Sequence, residues 1–187
     1  MAKKASKKEI KVVNIVVSTS LEHDVPLEKM AATLSNTEYN PEQFPGLVIR
    51  IKEPKTSALI FSSGKVVCTG ARSMDKVNEA IKKIIKSLEK IGIKITIKPE
   101  IKIQNIVASG AVGMDLNLNT LAMKLPNTEY EPEQFPGLVY KLAEARATFL
   151  LFSNGKIVCT GTKSEKEVHE ALDMLIINLK KVVGKKR

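Results

Sequence analysis

The residues of this chain that could carry out chemistry occur in pairs, separated by a constant 91 positions. Four carboxylates and two cysteines are among the residues that follow this rule, and such groups serve acid–base catalysis or metal binding when they converge on one site. In a duplicated chain, equivalent residues fall at opposite ends of a pseudo-symmetric molecule, so these pairs are not expected to converge. The pairs are Glu38 with Glu129, Glu42 with Glu133, and Cys68 with Cys159.

No other pattern in the sequence points to catalysis. His23 and His169 are not equivalent in the repeat and have no ligand partners at metal spacing, so we expect both at the surface. We expect Cys68 and Cys159 to be small buried hydrophobic residues without a disulfide between them. There is also no phosphate-binding loop and no nucleophile–base set. The sequence therefore predicts a protein that is not an enzyme and needs no metal or cofactor.

The duplication itself is the strongest signal. Segment 36–39 (Asn-Thr-Glu-Tyr) returns at 127–130, and segment 41–48 (Pro-Glu-Gln-Phe-Pro-Gly-Leu-Val) returns at 132–139. Between 12–92 and 103–183, about 37 of 81 paired positions are identical without a gap. Two copies are too few for a solenoid, so a duplicated half-domain with a pseudo-twofold axis is predicted. Duplex nucleic acid is a natural ligand because it has a twofold axis too.

Charge favours the same class of ligand. The 187 residues are 43% hydrophobic, enough for an ordered core, and carry a net charge of +10. This charge favours DNA, RNA or an anionic membrane surface as partner. It is weak evidence alone, since eight of the cations lie in 1–11 and 185–187. No apolar run reaches the ~20 residues of a membrane span, and the N-terminus lacks the apolar segment of a secretory signal.

Each repeat has the pattern of a strand, a short helix, several strands and a long helix. Apolar residues recur at helical spacing over 77–91 and 168–182, which predicts two long amphipathic helices. Asp24 is predicted to cap the first short helix, Ser164 with Glu167 forms a potential capping box, and Gly92 is a helix stop. The other predicted elements are strands at 12–18, 47–52, 58–61, 65–69 and 103–109, and short helices at 26–34 and near 117–125.

Between the repeats, isoleucines alternate with polar residues at 93, 95, 97, 101 and 103. This alternation predicts strand edges and a link between the repeats, broken by Pro99.

The helices can cover only one face of the sheet. Strand alternation places Ile15, Val17, Val66 and Cys68 toward the helices, and Phe149 has the same parity. An apolar face that is left uncovered signals a binding surface. The residues predicted on it are Asn14, Val16, Leu59, Phe61, Val67 and Thr69, and in the second repeat Asn105, Val107, Leu150, Phe152, Val158 and Thr160.

Four motifs occur in order in both repeats. Asn-Ile-Val begins at 14 and 105, and Tyr-x-Pro-x-x-Phe begins at 39 and 130. Phe-x-x-Gly-Lys begins at 61 and 152. Thr-Gly-Ala-Arg at 69–72 corresponds to Thr-Gly-Thr-Lys at 160–163.

Over about residues 10–183, this set resembles the TATA-box-binding protein family, the promoter-recognition factors of archaea and eukaryotes. The resemblance implies an α+β fold in which two pseudo-symmetric repeats form one saddle-shaped antiparallel sheet of about ten strands, with four helices on the convex face. It divides the chain into a basic tail (1–10), repeat one (11–98), repeat two (99–183) and a second basic tail (184–187). The symmetric Glu-Gln-Phe-Pro-Gly-Leu tips resemble archaeal members, which implies a cytoplasmic, nucleoid-associated location, or the nucleus if the chain is eukaryotic.

The resemblance also implies roles for individual residues. In this family, which is itself a standard example of minor-groove kinking, phenylalanines enter the groove as wedges. The matching residues are Phe44, Phe61, Phe135 and Phe152. Base contacts match Asn14, Asn105, Thr69 and Thr160, with apolar contacts from Val16, Val67, Val107, Val158, Leu59 and Leu150. Phosphate contacts match Arg50, Lys65, Arg72, Lys141, Lys156 and Lys163.

The resemblance further implies partners. Glu131, Glu133 and Gln134 match the tip that docks transcription factor B, which leads to RNA polymerase. Exposed lysines of the first long helix lie where relatives bind regulators, although a solvated helix face also explains them. The apolar face also favours self-association of the free protein.

Three other functions remain open at this stage. The chain could bend or compact DNA without promoter selection, bind single strands or RNA by stacking bases on the sheet, or serve only as a protein scaffold. Low aromatic content, at 4%, disfavours stacking. A scaffold would leave Asn14 and Asn105 unexplained.

Overall fold

The computed structural model describes residues 9–184. Both predicted basic tails therefore fall largely outside the described residues. The strands are β1 (Glu9–Ser20), β2 (Thr37–Glu38), β3 (Leu47–Ile51), β4 (Thr56–Ile60), β5 (Lys65–Ala71), β6 (Lys102–Ala111), β7 (Thr128–Glu129), β8 (Leu138–Leu142), β9 (Ala147–Leu151) and β10 (Lys156–Thr162). The helices are α1 (Leu27–Thr33), α2 (Met74–Lys90), α3 (Leu118–Lys124) and α4 (Glu165–Val183), with one 3-10 turn at Ala143–Ala145.

The strands form an open antiparallel sheet. Hydrogen bonding links them as β2-β3-β4-β5-β1-β6-β10-β9-β8-β7. The chain forms two compact units, Asn14–Gln104 and Asn105 onward, and the second includes the start of β1 up to Val13. The predicted α+β class, with ten strands, four helices and two repeats, is confirmed.

In each unit the core lies between the long helix and one face of the strands. The helix-facing residues predicted in β1 and β5, from Ile15 to Cys68, are all at most 2% exposed. Phe149 is 0% exposed, as its parity predicted. The buried stripe of α2 is Val77, Ala80, Ile81, Ile84 and Leu88, and that of α4 is Val168, Ala171, Leu172, Leu175 and Leu179.

The helix ends agree only partly with the sequence predictions. Ser73 and Ser164 cap α2 and α4, and Gly92 follows α2 with φ of 86°. Glu167, however, completes no capping box: its carboxylate accepts from the N–H of Lys163, one residue before the cap. The prediction for Asp24 is wrong. Helix α1 starts at Leu27, so Asp24 lies two positions ahead of the capping residue Pro26 and no side chain caps this helix.

The predicted strand edges between the repeats are also wrong for most of their length. None of the residues from 93 to 101 belongs to a strand, and only Ile103 of the alternating isoleucines lies in one, β6. Alternating polarity provides a suitable face but does not supply a neighbouring strand to hydrogen-bond with. The link instead makes a contact with a residue distant in sequence: the Thr19 hydroxyl donates to the carbonyl of Glu100 at 2.6 Å.

The sulfur and imidazole groups lie where the sequence predicts. Cys68 and Cys159 are buried free thiols, and burial raises the pKa of each to about 11. His23 and His169 are both exposed. Among residues 9–184, no helix is long and apolar enough to cross a membrane.

Candidate nucleic-acid interface

In each unit, the strand face opposite the long helix is lined by side chains of intermediate exposure. We call this side the open face. All twelve residues that the sequence places there are neither buried nor fully exposed. Strand register aligns them in rows, such as Val48, Leu59 and Val67 in the first unit and Val139, Leu150 and Val158 in the second. The result is an apolar surface in contact with water, interrupted by a few polar groups.

A β-bulge organises the main polar group of the first open face. The pairing of β1 with β5 shifts register between Ile15 and Val17, which leaves an extra residue in β5 near Thr69 and Gly70. Gly70 has φ of 102°, a conformation that disfavours side chains. The bulge aims the Gly70 N–H at the Asn14 side chain, whose Oδ1 accepts it at 2.7 Å.

The same hydrogen bonds fix the orientation of the asparagine amide. Since Oδ1 of Asn14 accepts from Gly70, its Nδ2 points to the Thr69 hydroxyl at 3.0 Å. The second unit repeats this cluster: Asn105 Oδ1 accepts from Gly161 N at 2.8 Å, and Asn105 Nδ2 lies 2.9 Å from Thr160 Oγ1.

This asparagine–threonine–glycine cluster leaves donors available to a ligand. An amide nitrogen carries two hydrogens, and only one of them is directed at the threonine. The threonine hydroxyl also lies within donating distance of the asparagine Oδ1, at 3.2 Å in the first unit and 3.3 Å in the second, and it can exchange that acceptor for one on a ligand. Each unit therefore presents fixed donor groups in the middle of an apolar surface. Such a surface suits a ligand that is flat, largely apolar and lined with acceptors.

Two pairs of phenylalanines stand at the outer ends of the open faces. We call them the wedge pairs: Phe44 with Phe61, and Phe135 with Phe152. In each pair the ring centroids are 5.9 Å apart in an edge-to-face arrangement. Phe44 is 42% exposed and Phe135 40%, while their partners are half-buried.

A glycine beneath each wedge pair explains the Phe-Pro-Gly tips. A Cβ at Gly46 would lie 2.6 Å from Cε1 of Phe44 and 3.1 Å from Cε1 of Phe61. At Gly137 the corresponding distances to Phe135 and Phe152 are 2.6 and 3.0 Å. The glycine is required for space, because the two rings close over its Cα.

Cations border the open face, and one in each unit is paired with a carboxylate. Arg50 Nη1 lies 2.8 Å from Glu38 Oε2, and Lys141 Nζ lies 2.6 Å from Glu129 Oε1. All four side chains are more than half exposed, so these ion pairs contribute little to stability. Lys65, Arg72, Lys156 and Lys163, the remaining predicted phosphate-contacting residues, are exposed as well.

Sequence analysis missed several residues of this surface. Val48 and Val139 share the open face with the predicted leucines, and their alternation with buried neighbours in β3 and β8 was the available signal. Lys52 and Lys55 join Arg50 and Arg72 around an open groove of about 700 Å³ at the edge of the first unit. No motif marks these two lysines, because the second repeat has Ala143 in place of Lys52 and Arg146 in place of Lys55.

The three residues predicted to dock a partner lie together on the second tip. Glu131, Glu133 and Gln134 are all exposed, and the carbonyl of Glu131 accepts from the N–H groups of Gln134 and Phe135 at 3.0 and 2.9 Å. The turn thus presents two carboxylates and an amide to solvent, next to the wedge phenylalanine.

The fold and the site together define a class of protein: an α+β chain of two repeats, each with an open apolar face, asparagine donors and a phenylalanine wedge pair. Comparison with known proteins shows the family. The family model "Transcription factor TFIID (or TATA-binding protein, TBP)" matches residues 9–91 and 100–182. The TATA-box-binding protein of Thermococcus kodakarensis is 51% identical over 92% of this chain and 91% of its own length. That of Methanocaldococcus jannaschii is 52% identical, over 93% and 95%.

The fold agrees with these sequence matches. The solved structure "Methanococcus jannaschii TBP" superimposes with a TM-score of 0.87 at 51% identity, covering 92% of this chain and 99% of that one. The chain therefore belongs to the TATA-binding protein family.

The space beneath the wedge pairs gives a prediction. Gly46→Ala should displace Phe44 from Phe61, because the new methyl group and the rings cannot occupy the same space. In two-dimensional nuclear Overhauser spectra, the cross-peaks between the two rings should weaken or vanish, while those between Phe135 and Phe152 persist. Unchanged cross-peaks in the first pair would show that the tip absorbs the methyl group elsewhere.

Proposed function

We propose that this chain is a general transcription initiation factor that binds the minor groove of TATA-like, A·T-rich promoter DNA through its open faces. The observation that carries this proposal is the asparagine–threonine–glycine cluster, fixed in each unit among half-exposed valines and leucines. Membership of the family supports it, as do the relatives named TATA-box-binding protein.

The chemistry of the open face fits the minor groove of A·T pairs. That groove presents only the acceptors N3 of adenine and O2 of thymine, whereas G·C pairs add the N2 donor of guanine. In the proposed complex, Asn14, Asn105, Thr69 and Thr160 donate to those acceptors. Val16, Val67, Val107 and Val158, with Leu59 and Leu150, occupy the positions where a guanine amino group would lose its hydrogen bonds to water. Discrimination against G·C then comes from desolvation and shape.

The wedge pairs supply the deformation of the DNA. Opening a base step costs a few kcal/mol, and the bent groove then contacts more protein surface. Flexible pyrimidine–purine steps such as TA reduce this cost, so part of the sequence preference comes from DNA stiffness. The paired rings suit this role because edge-to-face packing keeps each ring oriented before DNA arrives.

The six border cations serve the phosphates in this proposal. Six neutralised phosphates give a slope of roughly −5 for log K against log salt concentration. Arg50 and Lys141 must exchange their carboxylate partners for phosphates, and these exposed ion pairs are weak enough to be replaced.

The exposed second tip is the proposed docking site for transcription factor B, through Glu131, Glu133 and Gln134. RNA polymerase then joins through that factor. Since both tips carry the same Glu-Gln-Phe-Pro-Gly sequence, the partner rather than the wedges sets the direction of binding. Without DNA, the open faces favour self-association, and the proposed location is the nucleoid.

Replacing the wedge phenylalanines tests the proposal. Phe44→Ala and Phe135→Ala should each weaken binding to a TATA duplex by about 10- to 100-fold, the equivalent of burying one phenylalanine side chain. Resonance energy transfer between dyes at the duplex ends should report a smaller bend. Met123→Ala is the matched control, since Met123 is 79% exposed, belongs to helix α3 and is none of the proposed DNA contacts.

The outcomes separate the candidate functions. Equal effects of all three substitutions would exclude the wedge assignment. Weak binding to TATA and G·C duplexes alike, without bending, would instead favour a non-specific architectural protein. Phe149 is unsuitable as a control, because it is fully buried and its replacement would test folding.

A second prediction concerns the carboxylate beside Lys141. Glu129→Gln should tighten binding to the TATA duplex a few-fold at low salt, because it removes both the competitor for the ammonium and a repulsive charge near phosphate. The gain should shrink as salt is raised in a fluorescence anisotropy titration. Glu89→Gln on α2 makes the same change of net charge; a gain of equal size there would mean that net charge alone is responsible.

A further inference from the structure

The two repeats differ where the long helix approaches the turn that precedes β4 or β9. In the first repeat, two lysines of α2 bridge the gap between this helix and the turn at residues 52–55. Lys76 Nζ lies 2.9 Å from Glu79 Oε2 and 3.5 Å from Glu53 Oε1. Lys83 Nζ lies 3.6 Å from Glu79 Oε1 and donates to the carbonyl oxygen of Glu53. The turn and the helix are therefore joined by two ammonium groups.

In the second repeat, the carboxylates are kept but both lysines are lost. At the offset of 91 positions, Glu53 and Glu79 correspond to Glu144 and Glu170, whereas Lys76 and Lys83 correspond to Glu167 and Met174. Glu167 does not replace the lysine, since its carboxylate accepts from the N–H of Lys163 at 2.7 Å.

An open groove lies at the site of the missing bridge. It has a volume of about 350 Å³, and its lining includes Glu144, Arg146, Lys163, Glu167, Glu170 and Met174. Met174 is 40% exposed and Ile177, one turn further along α4, is 52% exposed. The lining thus combines three carboxylates and two cations with the apolar side chain of Met174, and Ile177 is exposed beyond it.

This combination matches one type of side chain. Lysine has a flexible apolar stem and a compact ammonium group, so it can cover a methionine and reach a carboxylate together. A polyanion does not fit, because three carboxylates line the groove against two cations. The nearby Lys166 competes weakly for Glu170, because their 3.6 Å pair is largely exposed.

We infer that this groove binds a lysine side chain of another protein, in the place that Lys83 occupies in the first repeat. The stem packs on Met174, and the ammonium lies between the backbone carbonyl of Glu144 and the carboxylate of Glu170, as that of Lys83 lies between the carbonyl of Glu53 and the carboxylate of Glu79. The partner segment carries an apolar residue beside its lysine, which covers Ile177. In the first repeat the chain's own lysines bridge the gap between helix and turn, whereas in the second repeat a lysine of another protein does so. The groove contains none of the wedge phenylalanines or base-contacting side chains, although Gly161 and the proposed phosphate contact Lys163 belong to its lining.

The direct test uses a minimal lysine probe. Nα-acetyl-lysine N-methylamide should shift the Met174 methyl resonance in a carbon–proton spectrum of the methyl-labelled protein, with saturation in the millimolar range. Nα-acetyl-norleucine N-methylamide, which has an uncharged aliphatic side chain, should not. No shift, or equal shifts with both probes, would overturn the inference.

Variants locate the binding. Glu170→Gln should reduce the saturable shift at least several-fold, whereas Ile177→Lys, which adds a charge outside the groove, should leave binding of the lysine probe in place. Glu167→Lys together with Met174→Lys restores the first-repeat bridge and should abolish binding, followed on the neighbouring amide resonances. All these positions are exposed, so circular dichroism should report an intact fold. Binding to the bridged double variant with unchanged affinity would refute the site.

Discussion

One-sided packing of the strands is the constraint on which the rest of this structure depends. Each repeat has only one long helix and one short helix, enough to cover a single face of its strands. The covered face consists mainly of buried Ile, Val, Leu, Ala and Cys side chains. The uncovered face keeps valines, leucines and phenylalanines partly exposed to water, at a free-energy cost of about 25 cal/mol per Å² of apolar surface. A ligand that removes this surface from water recovers that free energy, which makes the open face a binding surface.

Local features of the backbone make this surface specific for its ligand. The bulges at Gly70 and Gly161 lock an asparagine amide in one orientation, so that its free N–H faces outward in a fixed direction. Gly46 and Gly137 let two aromatic rings close over the backbone, so that the wedge pairs are preformed. Preformed donors and rings need little ordering when they bind. Four glycines therefore position the asparagine clusters and make room for the wedge pairs.

Much of this arrangement could be predicted from the sequence, because duplication and strand alternation are periodic signals. The offset of 91 positions gave the repeats, and period two placed Phe149 in the core but Phe61 and Phe152 on the open face. The predictions that were wrong concern features that no periodic pattern of residues marks. Helix α1 begins only after Pro26, which is too far along the chain for Asp24 to cap it. The isoleucines of the link have no neighbouring strand to pair with.

Contacts between residues distant in sequence were also beyond prediction. The bulge at Thr69 and Gly70 depends on the register of β1 against β5, which no local pattern encodes. Similarly, the ion pair of Arg50 with Glu38 depends on β2 lying beside β3. The lysine bridge of the first repeat and the groove of the second could not be predicted either, because they too depend on contacts between residues distant in sequence. Equivalent positions hold different residues, and only the structure places Glu53 and Glu144 opposite the helices.

Inosine substitution tests most directly whether the open face recognises the minor groove. An inosine–cytosine pair lacks the guanine N2 amino group, so its minor-groove edge resembles that of A·T, while its major groove remains that of G·C. We would measure the affinity of the chain for a TATA duplex, its fully inosine–cytosine counterpart and its G·C counterpart at one salt concentration. The inosine duplex should bind nearly as well as TATA and far better than the G·C duplex. If inosine and G·C duplexes bound equally weakly, recognition through the apolar minor-groove face would be contradicted.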